Sequence, residues 1–547
     1  MSEIHKESSD RLRVYLPIIF SILLAAGLAM GFSINRESKD KFSQIFDIID
    51  NDYVDSTNVQ KLQQSTIDNL LSQLDPHSTY IPPALSEINE SQIRGNYEGL
   101  GIEYIQYMDT PFVYNVYPGG PAMKAGIVPG DRLIAVNGKK LTDSLDAMEV
   151  RTAMQGSKDS LVKLTIYKLT QNAIKTIELK RDRIVVNSSE VYYMVNSTLG
   201  YIKIERFSGS THKEFLKALE ALKQVGMKDL IIDLRNNGGG LLNEAVAIAN
   251  EFLEKDALIA YTFGFKRQRR DYFADGNGTF KEGKLILLVN HNTASASEIL
   301  AGALQDNDRA VVMGNRTYGK GLVQEPFRLS DGSMLRLTIA RYYTPSGRSI
   351  QKPYNKDIEA YKNEIFKRDE LKDTLNPVLD PKIKKDFFSK NGRLLTTGGG
   401  IRPDVLLRDT LSDSTEVELL IPGLFYSRIF DIYILDRMNR DIEEAKLKYK
   451  DVLSFYSGFN ISQSEVNNFI KLASNIPYLK KLKPSPKANS IIAKHLKAAI
   501  AYRLFGEKGH SLIINREEGL FSKSFDVLKK YELLLNIGRN KSRSFDY

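Results

Sequence analysis

The chain contains no cysteine among its 547 residues, which excludes thiol nucleophiles, disulfides and cysteine-ligated metals. Such a composition suits an envelope compartment, where stray thiols are a liability. Histidine is scarce as well: His5, His77, His212, His291, His495 and His510 are the full set. None forms an HExxH or other close pair, so neither a catalytic metal nor another cofactor is expected. Charge of one sign does not dominate, because the net value of +9 is modest for this length. There is no aromatic-interleaved basic stretch, zinc spacing or helix-turn-helix signature, which argues against nucleic acid as a partner. The mild basicity reads instead as a chain working near an anionic membrane surface. Apolar content of 42% and charged content of 26% describe a globular chain long enough for several domains.

One long hydrophobic run is present. Val14 to Asn35 carries no formal charge, and Val14 to Phe32 is mostly apolar; about 20 such residues cross a bilayer core as a helix. Lys6, Arg11 and Arg13 precede it and favour a cytoplasmic amino terminus, diluted by Glu3, Glu7 and Asp10. A cleaved signal peptide is the rival reading. The length of the segment, and the lack of a clean small-x-small site before Arg36, favour an uncleaved single-pass inner-membrane anchor over residues 1–36. Either way the remainder lies outside the cytoplasm, in a periplasm or its equivalent.

Residues 37–90 read as helices, with apolar faces Phe42, Ile45, Phe46, Ile48, Ile49 and Leu62, Ile67, Leu70, Leu71, Leu74. Asp75-Pro76-His77-Ser78 ends that segment; His77 reads as a polar turn residue, with catalysis the lesser alternative. Over 91–183 the pattern changes to short strands with glycine turns. Gly99-Leu100-Gly101-Ile102 precedes alternating residues, and Gly120-Pro121-Ala122, Ala125-Gly126, Pro129-Gly130-Asp131 and Val136-Asn137-Gly138 follow, then a helix at 145–154 and a strand at 162–167. Taken together this run resembles a PDZ domain. The resemblance implies that the Gly99, Leu100, Gly101 and Ile102 loop receives a peptide's C-terminal carboxylate while the peptide adds to the sheet as a strand.

From 184 to 406 strands alternate with helices, which implies an α/β core with a mixed sheet and flanking helices. Strands are expected at 199–204, 230–234 and 285–289, and helices at 212–225, 244–253 and 295–304. The segment of about 352–390 is charged with few apolar anchors and reads as an insertion or mobile flap. Beyond 407 the chain is mostly helical to 547 and carries no assignable motif.

Two settings in this core carry chemistry. Ser295 follows the apolar run Leu285 to Val289 and opens a helix, where ligands bind above strand ends. Ser297 is the competing hydroxyl, placed deeper in the first turn, where it bonds neighbouring backbone. Lys320 stands between Gly319 and Gly321, with Gln324 four residues on. A lysine of ordinary pKa, about 10.4, is no base, so its amine must be buried or placed near positive charge. Glycines permit that burial, and Gln324 orients the amine without adding negative charge. His291, four residues before Ser295, is the rival base; it needs an orienting acid that nothing nearby is compelled to supply. The turn Asp233 to Leu242 places Gly238 and Gly239 between a strand and a helix. Their N–H groups, with that of Ala296, form a candidate oxyanion hole; nucleotide binding is weak, since no Gly-Lys-Thr/Ser follows and the spacing fails GxGxxG.

Leu74 to Ser78, the PDZ run, Asp233 to Leu242, Thr293 to Glu298, Tyr318 to Gln324, Tyr343 to Gln351 and Gly399 to Asp404 together resemble the C-terminal processing peptidases of the serine–lysine type. The likeness covers roughly residues 40–406. It implies Ser295 as nucleophile, Lys320 as general base, Gln324 as its orienting partner, and protein substrates with unstructured apolar tails. Gly238 departs from the pattern, standing where proline or serine is common. An adaptor and homo-oligomerisation are compatible with the likeness. A non-catalytic envelope scaffold using the PDZ domain, and a binding module for an apolar ligand, are the alternatives from other classes.

Overall fold

The computed structural model describes residues 41–536 apart from 108–109, 142–146, 369–385, 408–422, 426, 438, 477–478 and 480–483. The expected membrane anchor therefore lies outside the described residues. Among those described, no helix is long and apolar enough to cross a membrane. The chain divides into two compact units, Met1–Asp75 and Pro76–Tyr547. The first holds helices α1 (Lys41–Asp52) and α2 (Val59–Ser72), the latter capped by Asn58, whose side chain accepts from the Lys61 N–H at 3.0 Å. The expected apolar face of α1 leaves Phe42, Ile45 and Ile48 exposed.

The second unit begins with β1 (Thr79–Ile81) and α3 (Pro83–Arg94), then β2 (Asn96–Gly99). A β-rich domain follows: β3 (Ile102–Tyr107), β4 (Thr110–Val116), α4 (Pro121–Lys124), β5 (Arg132–Val136), β6 (Lys139–Lys140), α5 (Ala147–Met154), β7 (Leu161–Lys168), β8 (Ala173–Lys180) and β9 (Asp182–Val185). Its sheet runs β3-β4-β5-β7-β8, with β6 on β5, so β3 is an edge strand. Alternate residues Leu133, Val162, Leu164 and Ile166 turn inward and are completely or almost completely buried. β2 and β9 pair antiparallel and close the domain at its root.

The α/β core contains β10 (Tyr192–Met194), β11 (Leu199–Lys203), α6 (Thr211–Gln224), β12 (Asp229–Asp233), α7 (Leu242–Asn250), β13 (Leu258–Gly264), β14 (Arg267–Phe273), β15 (Leu285–Val289), α8 (Ala296–Asp306), β16 (Val311–Gly314), β17 (Leu322–Arg328), β18 (Met334–Tyr343), α9 (Ile358–Asn363), β19 (Phe387–Phe388), β20 (Leu394–Leu395) and β21 (Val405–Leu406). The main sheet has the order β10-β11-β12-β15-β16-β21, parallel from β11 to β21 with β10 antiparallel at one edge. A second, antiparallel sheet joins β1, β18, β13 and β14, with β17 on β18. The mixed α/β core with a small β-rich domain is thus as expected.

A parallel sheet needs cover on both faces, and this one receives it from two sources. Ile232, Leu287 and Val312 pack against Phe215, Ile248 and Leu300 of the flanking helices. Their strand neighbours Ile231, Ile286, Leu288 and Met313 point the other way, into one cluster with Ile432, Phe469, Ile492 and Ile513 of the C-terminal region. That region consists of α10 (Ile429–Arg437), α11 (Asn439–Lys448), α12 (Val452–Gly458), α13 (Gln463–Ala473), α14 (Pro486–Glu517), α15 (Leu520–Lys529) and α16 (Tyr531–Leu535). The tail without a motif is therefore the second cover of the sheet. The same cluster takes in Ile105 and Phe112 of the β-rich domain, and Tyr502 of α14 stacks on Tyr114 with ring centroids 5.3 Å apart.

The charged segment after Lys352 departs from the expected mobile flap. Its part up to Arg368 packs on the loop before β17. Tyr361 and Lys352 are buried, and the Lys352 Nζ donates to the Tyr361 carbonyl at 2.7 Å while lying 4.1 Å from the ring centroids of both Tyr318 and Tyr361. Arg368 donates to the carbonyls of Thr317 at 2.6 Å and Tyr318 at 3.0 Å and is paired with Glu364. A short apolar count hid this because cationic and aromatic side chains supply the anchoring. Residues 369–385 of the segment lie outside the described residues.

If the helical tail is part of the core, Phe469→Ala should destabilise the whole unit. Phe469 is fully buried and stacked on Phe430 at 4.7 Å, and such truncations cost about 3–5 kcal/mol. Urea unfolding followed by circular dichroism measures the loss; a change confined to a few tenths would mark the tail as an appendage.

Candidate active site

β15 is apolar throughout and lies inside the sheet between β12 and β16, so the chain leaves the C-terminal end of a buried strand and enters a tight turn before α8. Ser295 caps that helix with φ 56° and ψ −117°, a left-handed conformation that a non-glycine residue holds only when its surroundings over-determine it. Three contacts do so. The Ser295 N–H donates to the Glu298 Oε2 at 2.8 Å, the Tyr342 hydroxyl donates to the Ser295 carbonyl at 3.2 Å, and the Ala294 N–H donates to the Asn237 carbonyl at 3.0 Å. Ser297, the competing hydroxyl, donates its Oγ–H to that same Asn237 carbonyl at 3.0 Å and is fully buried.

Glu298 is fully buried and reaches across to the lysine loop. Its Oε2 also accepts from the Lys320 N–H at 2.9 Å, and its Oε1 accepts from the Gly319 N–H at 2.8 Å and the Thr317 hydroxyl at 2.5 Å. One carboxylate oxygen thus bonds the main chain of both Ser295 and Lys320. Burial raises the Glu298 carboxyl pKa above the usual glutamate range, while the bonds from Thr317, Lys320, Gly319 and Ser295 act in the opposite sense.

Lys320 is half-buried, and its Nζ donates to the Gln324 Oε1 at 2.8 Å. Gln324 is fixed in turn, its Nε2 donating to the His77 carbonyl at 2.5 Å. A register shift between Val323 and Gln324 in the β17–β18 ladder accompanies this placement. The glycines flanking Lys320 are required by space: a Cβ on Gly319, whose φ is +91°, would lie 3.0 Å from the Gly399–Gly400 backbone, and one on Gly321 would lie 2.9 Å from the Gln351 nitrogen. The His77 ring bonds the Tyr361 hydroxyl at 2.9 Å, so this residue serves the site through its carbonyl. His291 lines a polar cavity of about 390 Å³ shared with Asp233, Arg235 and residues of α14.

The glycine turn after β12 lies against Ser295. A Cβ on Gly239 would come within 2.8 Å of the Ser295 Cβ and 2.9 Å of the Ala296 nitrogen. The Gly239 N–H, however, already donates to the Asn237 Oδ1 at 2.9 Å, so this glycine provides clearance where an oxyanion donor was expected. Among the described residues, the N–H groups of Gly238 and Ala296 donate to no protein acceptor. Phe207 straps the turn, its N–H donating to the Gly239 carbonyl at 3.0 Å and its carbonyl accepting from Leu241 at 2.8 Å. Behind the turn, Arg235 bonds Asp233 and reaches the Asn515 side chain of α14 at 2.6 Å. Burial alone would raise the Asp233 carboxyl, but Arg235 holds it below the usual carboxylate range.

The Gly99–Ile102 loop opens a second recess. Gly101 has φ +75°; the Leu100 carbonyl accepts from Ala122 at 3.0 Å and the Gly101 carbonyl from Tyr117 at 2.9 Å. The Leu100 and Gly101 N–H groups have no protein acceptor among the described residues. A groove of about 570 Å³ runs from this loop along β3 towards the end of α5.

Glu298 thus ties the main chain of Ser295 to that of Lys320, Gln324 holds the Lys320 amine, and Gly238 adjoins Gly239, which lies against Ser295 and Ala296; none of the catalytic motifs announces the contacts of Glu298, Asn237 and Thr317. One signal for Glu298 existed: serine followed three residues on by glutamate at a helix start is a capping-box pattern.

Family models match residues 198–360 as peptidase family S41, 112–168 as a PDZ domain and 422–506 as a family of unknown function. A carboxy-terminal-processing protease of Bartonella bacilliformis is 32% identical over 62% of this chain and 80% of its own length. A probable CtpA-like serine protease of Staphylococcus aureus is 34% identical over 58% of this chain and 63% of its own length, so less than two thirds of that relative is spanned. The solved photosystem II D1 C-terminal processing protease is 29% identical over 57% of this chain and 89% of its own, with a TM-score of 0.33.

Glu298→Gln places an amide NH₂ where an oxygen accepts main-chain N–H groups. It is expected to destabilise the chain by about 2 kcal/mol or more, read by urea unfolding, and to suppress labelling of Ser295 by a fluorophosphonate. Unchanged labelling would show that the shared carboxylate does not hold the serine.

Proposed function

This chain belongs to the carboxy-terminal-processing proteases of peptidase family S41, and on that premise we propose that it is a serine endopeptidase that takes protein substrates by their C-terminal tails. The observation that carries this reading is the Lys320 amine held by a neutral Gln324 oxygen at 2.8 Å, on a loop whose main chain shares the Glu298 carboxylate with Ser295. An amide partner orients an amine without the added charge that would favour its protonated form. Ser295 Oγ attacks the scissile carbonyl as Lys320 takes its proton. The N–H groups of Ala296 and Gly238 donate to the resulting oxyanion, and Lys320 returns the proton to the leaving amine. Water then enters, gives a proton to Lys320 and releases the acyl group, and Lys320 reprotonates Ser295.

The PDZ groove captures the tail. The chain terminus sits on the Leu100 and Gly101 N–H groups, and the peptide extends β3, an edge strand. The uncharged run from Val14 to Asn35 anchors the protein in a membrane with its catalytic part outside the cytoplasm.

Mass spectrometry of peptide digests tests the reading. Ser295→Ala and Lys320→Ala should each lower kcat by about three orders of magnitude or more, and Gln324→Ala by about tenfold. Substrates with an amidated terminus should be cut less well than free acids. Full turnover by Lys320→Ala would end the case for an amine base, and cleavage indifferent to amidation would end the case for tail capture.

A further inference from the structure

The PDZ groove is walled by more than the PDZ domain, and its charge is uneven. Arg151 comes from α5, Arg206 from the protease-core segment just before Phe207, and Arg428 from the C-terminal region ahead of α10; all three line the groove. Arg428 is balanced by Asp431, with Nε donating to the Asp431 Oδ2 at 2.5 Å. Arg151 and Arg206 are half-buried and pair with no carboxylate among the described residues. The single carboxylate among the groove-lining residues, Glu103, is engaged by the Tyr117 hydroxyl and by the Asn115 Nδ2 at 3.3 Å.

Both arginines line the groove together with two tyrosines of its loop end. Tyr97 and Tyr117 meet edge to face there, with ring centroids 6.2 Å apart, and the Tyr97 ring lies against Gly99. Burial and then Glu103 raise both phenols, while Arg151 opposes the rise at Tyr97 and Arg206 opposes it at Tyr117. One guanidinium therefore stands near each phenol. A guanidinium withdrawn from water without an acceptor is costly, and a carboxylate is its best-matched partner. The terminal carboxylate of a bound tail is already served by the Leu100 and Gly101 N–H groups, which leaves two cationic forks for a second acid.

We propose that Arg151 and Arg206 bind an acidic side chain within the last four residues of the substrate, so that the groove selects tails ending in an acidic as well as an apolar element. This rests on the tail-capture reading above. Arg206 makes the selection a joint property of the PDZ and protease segments, and Phe207 beside it is the strap of the glycine turn.

The test is fluorescence anisotropy on full-length Ser295→Ala protein, with labelled peptides in which glutamate or glutamine is walked through the last four positions, each as free acid and amide. At one position glutamate should bind about tenfold tighter than glutamine. Arg151→Gln and Arg206→Gln should each remove that preference while retaining binding of an all-apolar tail, which also reports that the variants are folded. Arg206→Lys should keep part of it. Equal binding of glutamate and glutamine peptides throughout, with amidation still weakening both, would overturn the proposal and leave tail capture intact. Loss of the amidation effect in the arginine variants would overturn it differently, by assigning these side chains to the chain terminus. Indifference to amidation in the unsubstituted groove would overturn tail capture itself.

Discussion

One buried carboxylate sets the spacing of the site. Glu298 accepts from the main chain of Ser295, Gly319 and Lys320 and from the Thr317 hydroxyl, so the segments bearing hydroxyl and amine are tied to a common point. Neither segment has regular structure to hold it. Ser295 is in a left-handed conformation at a helix start, and Lys320 lies in a glycine-flanked loop. A charged acceptor with four donors is a strong fixture in a low-dielectric setting, and its location on the first turn of α8 makes the helix itself the carrier. The remaining ties converge on the same two segments: Arg368 on the carbonyls before Lys320, Tyr342 on the Ser295 carbonyl, and Asn237 on the residues either side of the serine.

The second constraint is the sheet. Because its strands are apolar on both faces, cover is needed on both, and the second cover is the C-terminal helical region. That cover also touches Ile105 and Phe112 of the PDZ domain and, through Asn515, the arginine behind the glycine turn. A region with no catalytic motif thereby bears on both the groove and the site.

Much of this was legible in the residues. Strand–helix alternation gave the core and glycine and hairpin signals the PDZ domain, while the settings of Ser295 and Lys320 marked the two segments that Glu298 ties together. What escaped has physical reasons. Glu298 fell within an expected helix with no role assigned to it, because a capping-box spacing does not tell that the same carboxylate will also bond Thr317, Gly319 and Lys320 across the site. Gly239 was taken as a donor, since sequence marks a glycine's freedom without saying whether its N–H is already used by Asn237. The segment after Lys352 looked unanchored because Lys352, Tyr361 and Arg368 hold it through cation–π contacts and carbonyl bonds, neither of which registers as apolar periodicity.

The groove beside the Gly99–Ile102 loop draws its walls from α5, from the stretch before Phe207 and from the residues ahead of α10. Modules of this kind are commonly regarded as portable readers that can be excised and grafted. Here the groove lining is divided among three stretches far apart in the chain, so a transplanted PDZ cassette would carry the loop amides and leave behind two of the three arginine walls. If the groove reads tails as proposed, its selectivity is inherited with the whole assembly, and shuffling the cassette alone would alter what is recognised.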